Sequence, residues 1–198
     1  MSALAVAPPT PAAPRMTPEE FLQLPDEGRG YELVDGQLKE RAVSMKPSRT
    51  GIRMATRLEL WCETNTPAWI VGSDASFRCF PADTDRIRRA DVAVILYERL
   101  TLEQYETKGF ILVRPDLVVE VISPNDVASD ITRKRKEWLA AGVKLLWIVD
   151  PEDQSVHAYE PGKRPLVYEA ADELPGEPVL PGFKVIVGDL FKLPVPPA

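Results

Sequence analysis

The chain has 198 residues, of which 44% are hydrophobic and 27% charged, with a net charge of −6 and a pI of about 5.0. This length and composition predict one globular domain with a substantial core. The negative net charge argues against a protein that coats nucleic acid through the attraction of its overall charge. It is compatible with an acidic site that is surrounded by a local basic rim. No apolar segment approaches the roughly 20 residues of a membrane span, so we expect a cytoplasmic protein without membrane contact.

The two ends of the chain differ in composition from the rest. Residues 1–15 are rich in Ala and Pro and lack a basic start before an apolar block. This pattern predicts a disordered tail rather than a signal peptide. The proline-rich residues 194–198 predict a second, frayed tail, which leaves 16–193 as the single domain.

Histidine and cysteine usage narrows the chemistry. His157 is the only histidine, so serine–histidine, cysteine–histidine and multi-histidine metal chemistries would all depend on it. Its surroundings, SVHAYE, are typical of a solvated strand. Cys62 and Cys79 are far apart and lack a close Cys or His partner, which indicates neither a zinc site nor a disulfide framework.

The predicted elements alternate between helices and strands. In chain order they are a helix at 18–24, a hairpin around Asp35-Gly36, a helix at 48–63, a strand pair or bent strand at 69–80, a strand at 92–96, a helix or loop at 101–108, a strand at 117–122, a helix at 130–141, a strand at 143–149, a hairpin at 155–169 and a last strand after residue 180. A strand, helix and strand of the length found over 117–149 predict a crossover between parallel strands. The order therefore predicts an α/β fold with a central mixed sheet flanked by helices, an N-terminal hairpin and a C-terminal hairpin.

The predicted strand at 117–122 carries a carboxylate in its interior, where an unpaired charge would be unfavourable if the strand is buried. It is an unbroken run of Val, Leu and Ile except for Glu120, with Pro115 and Pro124 beyond its ends. Such runs are typical of strands buried on both faces. A carboxylate there needs an ion pair, hydrogen bonds or a metal, so Glu120 predicts a partner elsewhere in the chain.

Two further acids lie on predicted strands. Glu32 shares one face of the hairpin with Val34, and Asp91 opens the apolar run at 92–96. Two carboxylates on adjacent buried strands can hold a hard divalent cation such as Mg²⁺, which lowers the pKa of a bound water. Buried acids also pair with arginines for purely structural reasons, and the residues alone leave both interpretations open.

One lysine of the helix at 130–141 is misplaced for a surface residue. Lys134 falls on the apolar stripe of Ile131, Trp138 and Ala141, whereas its charged neighbours point elsewhere. Its ammonium could approach the acids and stabilise charge that develops on phosphorus. The alternative is that its stem extends past Trp138 to the solvent.

A basic stripe runs along the helix at 48–63. Arg49, Arg53 and Arg57 are four residues apart, and no acidic residue occurs between Arg41 and Leu58. The stripe is either a solvated helix face or a ridge that contacts the phosphates of a nucleic-acid backbone.

Several segments resemble one family in their order. The chain reads YELVDG, RRADVAVI, PDLVVEVISP, a lysine-bearing helix, AAGVKLLWIVDP and LPGF. This order resembles the Uma-two family of restriction endonucleases, which belongs to the PD-(D/E)XK nuclease superfamily, and it covers Met16 to Leu193. The resemblance implies a restriction-endonuclease-like core.

The resemblance also implies roles for the candidate residues. Asp91 and Glu120 match the first and second motif acids as metal ligands, and the Val121 carbonyl is a third candidate ligand. Glu32 matches the upstream acid, which binds the metal or orients water. Lys134 matches the catalytic lysine.

Four positions bear on how closely the chain follows the superfamily and family patterns. Ile122 occupies the usual place of the lysine, a role that the family moves to the following helix. Ala90-Asp91 lacks the usual proline, and Pro115-Asp116 has the named dipeptide but marks only the start of its strand. Thr50 stands where family members often carry a histidine.

The leading hypothesis is an endonuclease that hydrolyses DNA phosphodiester bonds with Mg²⁺, or with Mn²⁺ in its place. A homodimer is expected with it, because cutting both strands requires two sites. The first alternative is a nuclease-fold module that binds nucleic acid or protein without cutting. The second is a metal-dependent hydrolase of small phosphoesters, which would leave the arginine stripe without a purpose.

Overall fold

The computed structural model describes residues 14–41 and 44–194. The predicted tails therefore lie outside the described residues over 1–13 and 195–198. The helices are α1 (Pro18–Leu22), α2 (Met45–Cys62), α3 (Leu102–Glu106) and α4 (Ala128–Ala140), with 3-10 turns at Pro25–Gly28, Tyr97–Arg99 and Val187–Leu190. Within the described ranges, no helix is both long enough and apolar enough to cross a membrane.

Within residues 14–41 and 44–194, ten strands form one large sheet and two small ones. They are β1 (Tyr31–Val34), β2 (Gln37–Glu40), β3 (Ala68–Gly72), β4 (Val92–Leu96), β5 (Leu117–Val121), β6 (Leu145–Asp150), β7 (Ser155–Tyr159), β8 (Leu166–Tyr168), β9 (Glu173–Pro175) and β10 (Lys184–Ile186). The six-stranded sheet has the order β3-β4-β5-β6-β7-β8, and β1–β2 and β9–β10 are separate antiparallel pairs. Only β5 and β6 pair in parallel within the large sheet, across the α4 crossover. The predicted mixed α/β fold is confirmed.

The large sheet separates two hydrophobic clusters. On one side Val119 of β5 packs with Met54 and Leu58 of α2. On the other side Val118 packs with Trp138 of α4. Since successive side chains of a strand point to opposite faces, Glu120 lies on the same face as Val118, toward α4.

The observed elements differ from the predicted ones at several places. Helix α2 begins at Met45 rather than at residue 48, because Pro47 lies in the first turn, where a missing N–H costs no intrahelical bond. The predicted strand pair at 69–80 is only β3, beyond which Phe77 forms isolated bridges. The predicted C-terminal hairpin, β7–β8, extends the central sheet, and strand β9 was missed.

Candidate active site

A cleft of about 570 Å³ lies between the β1–β2 hairpin, the first half of α2, β5 and α4. Five sequence-predicted residues line it: Glu32 from β1, Asp91 before β4, Glu120 and Val121 from β5, and Lys134 from α4. Segments that are up to about 100 residues apart along the chain thus converge in one cleft.

The ammonium group of Lys134 is the centre of the cluster. Its Nζ lies 2.8 Å from Glu120 Oε2 and 3.0 Å from Glu32 Oε1, and it donates to the Arg89 carbonyl at 2.7 Å. The side chain is 17% exposed, so the lysine points inward instead of extending past Trp138 to solvent. The apolar stripe of α4 therefore placed this residue correctly.

Glu120 receives a second donor from the same helix. Trp138 is one turn beyond Lys134, and its indole N–H donates to Glu120 Oε1 at 2.7 Å. Both carboxylate oxygens are thus hydrogen-bonded, one to each of two side chains on one face of α4. Helical periodicity places Trp138 on the same face as Lys134 but gives no sign that its indole N–H is a hydrogen-bond donor to Glu120.

Asp91 accepts hydrogen bonds through both of its carboxylate oxygens, one from β5 and one from the residue that follows β2. Oδ2 accepts a hydrogen bond from the Val121 backbone N–H at 2.7 Å. Oδ1 accepts one from Arg41 Nη2 at 2.6 Å. Sequence reasoning missed Arg41, because no periodicity or motif marks a residue just beyond the end of a hairpin.

Glu32 is held in place by a buried arginine. The glutamate is 3% exposed, and its oxygens accept hydrogen bonds from the Arg89 N–H at 2.9 Å and from Arg88 Nη1 at 2.7 Å. Arg88 is 1% exposed and also binds Glu137 through Nε at 2.7 Å. Glu137, which the helical periodicity had directed away from the apolar stripe, is thus largely shielded from solvent, with 9% of its side chain exposed.

The pKa values of the two glutamates are shifted in opposite directions. Burial would raise the pKa of Glu32, but the Lys134 and Arg88 charges and the Arg89 N–H bond lower it to about 2. Burial raises the pKa of Glu120 to about 7, where Lys134 opposes the rise and the Asp91 and Glu32 carboxylates reinforce it. Neighbouring acids whose pKa values are shifted away from each other are typical of functional sites.

Residues 18–193 match the Uma2 family, described as "Putative restriction endonuclease". The chain belongs to the Uma2 family. Its fold is similar to a crystal structure described as "a putative nuclease belonging to DUF820" from Anabaena variabilis ATCC 29413, with a TM-score of 0.77 and 22% identity over 89% of this chain and 97% of that chain. No curated protein matches significantly. The family assignment supports a nuclease, and the solved structure supports the fold.

The donor set of this Uma2 cleft fits a hard divalent cation. Among the described residues, no group of three or more His, Cys, Asp or Glu side chains forms a metal site by itself. Mg²⁺ does not need one, because it is commonly held by one or two carboxylates and completes its shell with waters and phosphate oxygens. Asp91 and Glu120 are two such carboxylates, and after burial the negative charge of Asp91 is a further cause of the raised pKa of Glu120. The Val121 carbonyl stays a predicted ligand.

The arginines of the predicted DNA-binding ridge on α2 are not among the residues that line this cleft. Arg49 Nη2 donates to the Lys192 carbonyl at 2.7 Å, and Arg53 Nε donates to the Asp189 carbonyl at 3.0 Å. These bonds attach α2 to the C-terminal segment, which is a structural use of two of the three arginines. Contact of Arg49, Arg53 and Arg57 with DNA stays a prediction.

Thr50 and Asp116 both have local structural partners. Thr50 is 3% exposed, and its hydroxyl donates to the Lys46 carbonyl at 3.0 Å. Asp116 is fully buried and binds the Leu96 N–H, Arg99 and Lys144. The acid of the Pro115-Asp116 dipeptide thus anchors the start of β5 and does not belong to the acidic cluster.

The shifted pKa of Glu120 predicts a pH dependence of stability. The folded protein keeps this proton up to a pH of about 7, whereas the unfolded chain releases it near the ordinary value of 4.5. Rising pH therefore favours the unfolded chain between these values, with a slope of up to about 1.4 kcal/mol per pH unit. We expect the free energy of unfolding of the metal-free protein to fall over this window relative to Glu120→Gln. Denaturant titrations in a chelator measure it, and a difference that is constant or rises with pH contradicts it.

Proposed function

We propose that this Uma2 member is a Mg²⁺-dependent endonuclease that hydrolyses DNA phosphodiester bonds, with Mn²⁺ as a substitute metal. The observation that carries the proposal is the position of Lys134, 2.8 Å from Glu120 and 3.0 Å from Glu32 in the cleft that also holds Asp91. Acidic oxygens beside a buried ammonium are what hydrolysis of a phosphodiester requires, since the reaction needs both a cation site and a donor to the developing charge.

Asp91 and Glu120 would hold the metal, with the Val121 carbonyl as a further ligand. When bound, Mg²⁺ lowers the pKa of a coordinated water and offsets negative charge on the phosphate. Asp91 is pre-positioned for this role because the Val121 N–H fixes one of its oxygens at 2.7 Å.

Lys134 and Glu32 would act on the reacting groups. The ammonium of Lys134 can orient the attacking water and donate to the oxygen that gains charge in the transition state. Glu32 is a second carboxylate that holds the ammonium, and Arg88 keeps Glu32 ionised and ordered. A donor held by two carboxylates needs little reorganisation during the reaction.

The rim of the cleft favours a polyanionic substrate. Four basic residues line it despite the negative net charge of the chain: Arg29, Lys39, Arg41 and Arg135. Several cationic side chains can bind successive phosphates of a DNA backbone, whereas a small phosphoester would need only one. A homodimer belongs to the same proposal, since double-strand cleavage requires two sites.

Cleavage of plasmid DNA with Mg²⁺ or Mn²⁺ tests this function. We expect wild type to cut and a chelator to stop it, and we expect Asp91→Ala and Glu120→Ala to lose nearly all activity because each removes a metal ligand. Lys184→Ala is the matched control, because Lys184 forms an exposed ion pair with Glu173 on the β9–β10 pair and should cut normally. Equal cleavage by wild type and both site variants would overturn the proposal.

A catalytically silent nucleic-acid or protein binding module is the second candidate, and one observation favours it. All four carboxylate oxygens of Asp91 and Glu120 already accept hydrogen bonds from protein groups. A module of this kind predicts no heat of Mg²⁺ binding in a calorimeter and no cleavage by wild type.

A further inference from the structure

Arg41 makes contacts that neither the fold nor the proposed chemistry accounts for. It directly follows β2, and its backbone N–H donates to the Gly30 carbonyl at 2.8 Å. Its guanidinium donates to the Ser73 carbonyl at 2.9 Å and to Asp91 Oδ1 at 2.6 Å. The side chain lines the cleft, so a substrate that enters the cleft can contact it.

We propose that Arg41 binds a backbone phosphate of the substrate, and that without DNA it occupies the metal-binding oxygen of Asp91. The contact between Arg41 and Asp91 then competes with the metal for this oxygen, and DNA binding removes the competition. This inference rests on the proposed function, from which it takes Asp91 as a metal ligand.

The competition follows from charge and from the arrangement of the Asp91 carboxylate. Since Oδ2 is bound by the Val121 N–H, Oδ1 is the oxygen that faces Arg41. A cation on this carboxylate and a guanidinium 2.6 Å from Oδ1 would be two like charges at one acceptor. Like charges at such separations in a partly buried site repel strongly. Metal binding without DNA therefore has to displace Arg41 or tolerate its charge.

A phosphate is the acceptor that can draw Arg41 away from Asp91. Guanidinium binds phosphate oxygens through two parallel N–H donors, a geometry that a carboxylate bound through one nitrogen does not satisfy. The other basic residues of the rim contact groups that are not candidate metal ligands. Lys39 pairs with Asp130, Arg29 pairs with Asp74, and Arg135 lies over the ring of Tyr159. Arg41 is thus the rim residue that touches a candidate metal ligand.

The consequence is a coupling between two ligands. If a DNA phosphate takes Arg41, the metal binds Asp91 more tightly, and by linkage the metal tightens DNA binding by the same factor. The nuclease would then assemble its metal site on the substrate and hold the metal weakly without it.

The test measures metal and DNA binding separately. In calorimetric titrations with Mg²⁺ alone, we expect Arg41→Ala to bind about 10-fold more tightly than wild type, within the usual range of such couplings. In fluorescence anisotropy with duplex DNA and a chelator, we expect Arg41→Ala to bind about 5-fold more weakly, because one phosphate contact is lost. Arg29→Ala is the matched control, since Arg29 lines the same cleft but pairs with Asp74 at 3.6 Å, and it should weaken DNA binding without tightening Mg²⁺ binding.

Each outcome decides between this inference and the proposed function. Mg²⁺ binding that is equal in wild type and Arg41→Ala, or tightened equally by Arg29→Ala, overturns the inference and leaves the function standing. Unchanged DNA affinity of Arg41→Ala does the same. Absence of Mg²⁺ binding in every variant overturns both. Arg41→Gln, which keeps a donor for the Ser73 carbonyl, replaces the alanine variant if that variant unfolds.

Discussion

Replacing Lys134 with methionine is expected to lower the rate of DNA cleavage by about 10³-fold, the usual effect of removing one preorganised donor from an active site. Methionine keeps most of the lysine stem, so the apolar contacts on α4 persist while the ammonium is lost. Glu120 and Glu32 then lose their shared cation, which lies 2.8 and 3.0 Å from them. The measurement is the single-turnover rate on plasmid DNA at saturating Mg²⁺.

A second lysine separates a catalytic loss from a general one. Lys144 also forms an ion pair with a buried acid, Asp116, at 3.1 Å, but it lies at the start of β6, away from the cluster. Lys144→Met should therefore change stability without lowering the cleavage rate of the folded protein. Comparable cleavage by both methionine variants would contradict the role of Lys134.

Replacing Arg88 with methionine should lower the free energy of unfolding by roughly 3–5 kcal/mol, the range for breaking a buried ion pair by removing one partner. Arg88 is 1% exposed and binds Glu32 Oε2 and Glu137 Oε2, each at 2.7 Å. Without the guanidinium, two buried carboxylates lose a charged donor and must take up protons or open to water. Urea denaturation at neutral pH measures the change.

Arg29 provides the contrast for this prediction. Its ion pair with Asp74 joins side chains that are 66% and 67% exposed, and such pairs contribute less than about 1 kcal/mol. Arg29→Met should thus be nearly neutral in the same experiment. A similar small effect of Arg88→Met would show that the Glu32 and Glu137 charges are stabilised by something other than Arg88.

Much of the candidate site could be predicted because it violates local patterns. Glu120 interrupts a buried apolar strand, and Lys134 interrupts the apolar stripe of a helix. Periodicity assigns each residue a face, so a charge on the wrong face is visible without a structure. Glu120 and Lys134 lie on consecutive elements, β5 and α4, and form an ion pair of 2.8 Å in the structure.

Arg41, Arg88 and Trp138 could not be predicted in the same way. Arg88 is one of two adjacent arginines, and nothing in RRADVAVI tells which one is buried with Glu32 and Glu137. Trp138 looks like an ordinary core residue until its indole N–H reaches Glu120. The arginine stripe of α2 shows the reverse case, since a periodic basic face was visible but two of its members bind carbonyls of the C-terminal segment.

The mixed α/β fold, the parallel β5–β6 crossover and the anomalous charges Glu120 and Lys134 could be predicted from the sequence, because they follow from burial and periodicity within single elements. The pairing of the charges is visible only in three dimensions: Arg88 binds Glu32, Trp138 binds Glu120, and Arg41 binds Asp91. Pairing depends on distances between segments that are far apart along the chain, and a one-dimensional pattern does not contain those distances. The same limit explains why the pKa values of Glu32 and Glu120 diverge although both are buried glutamates on strands: one binds two cationic side chains, and the other binds one cation beside a second carboxylate.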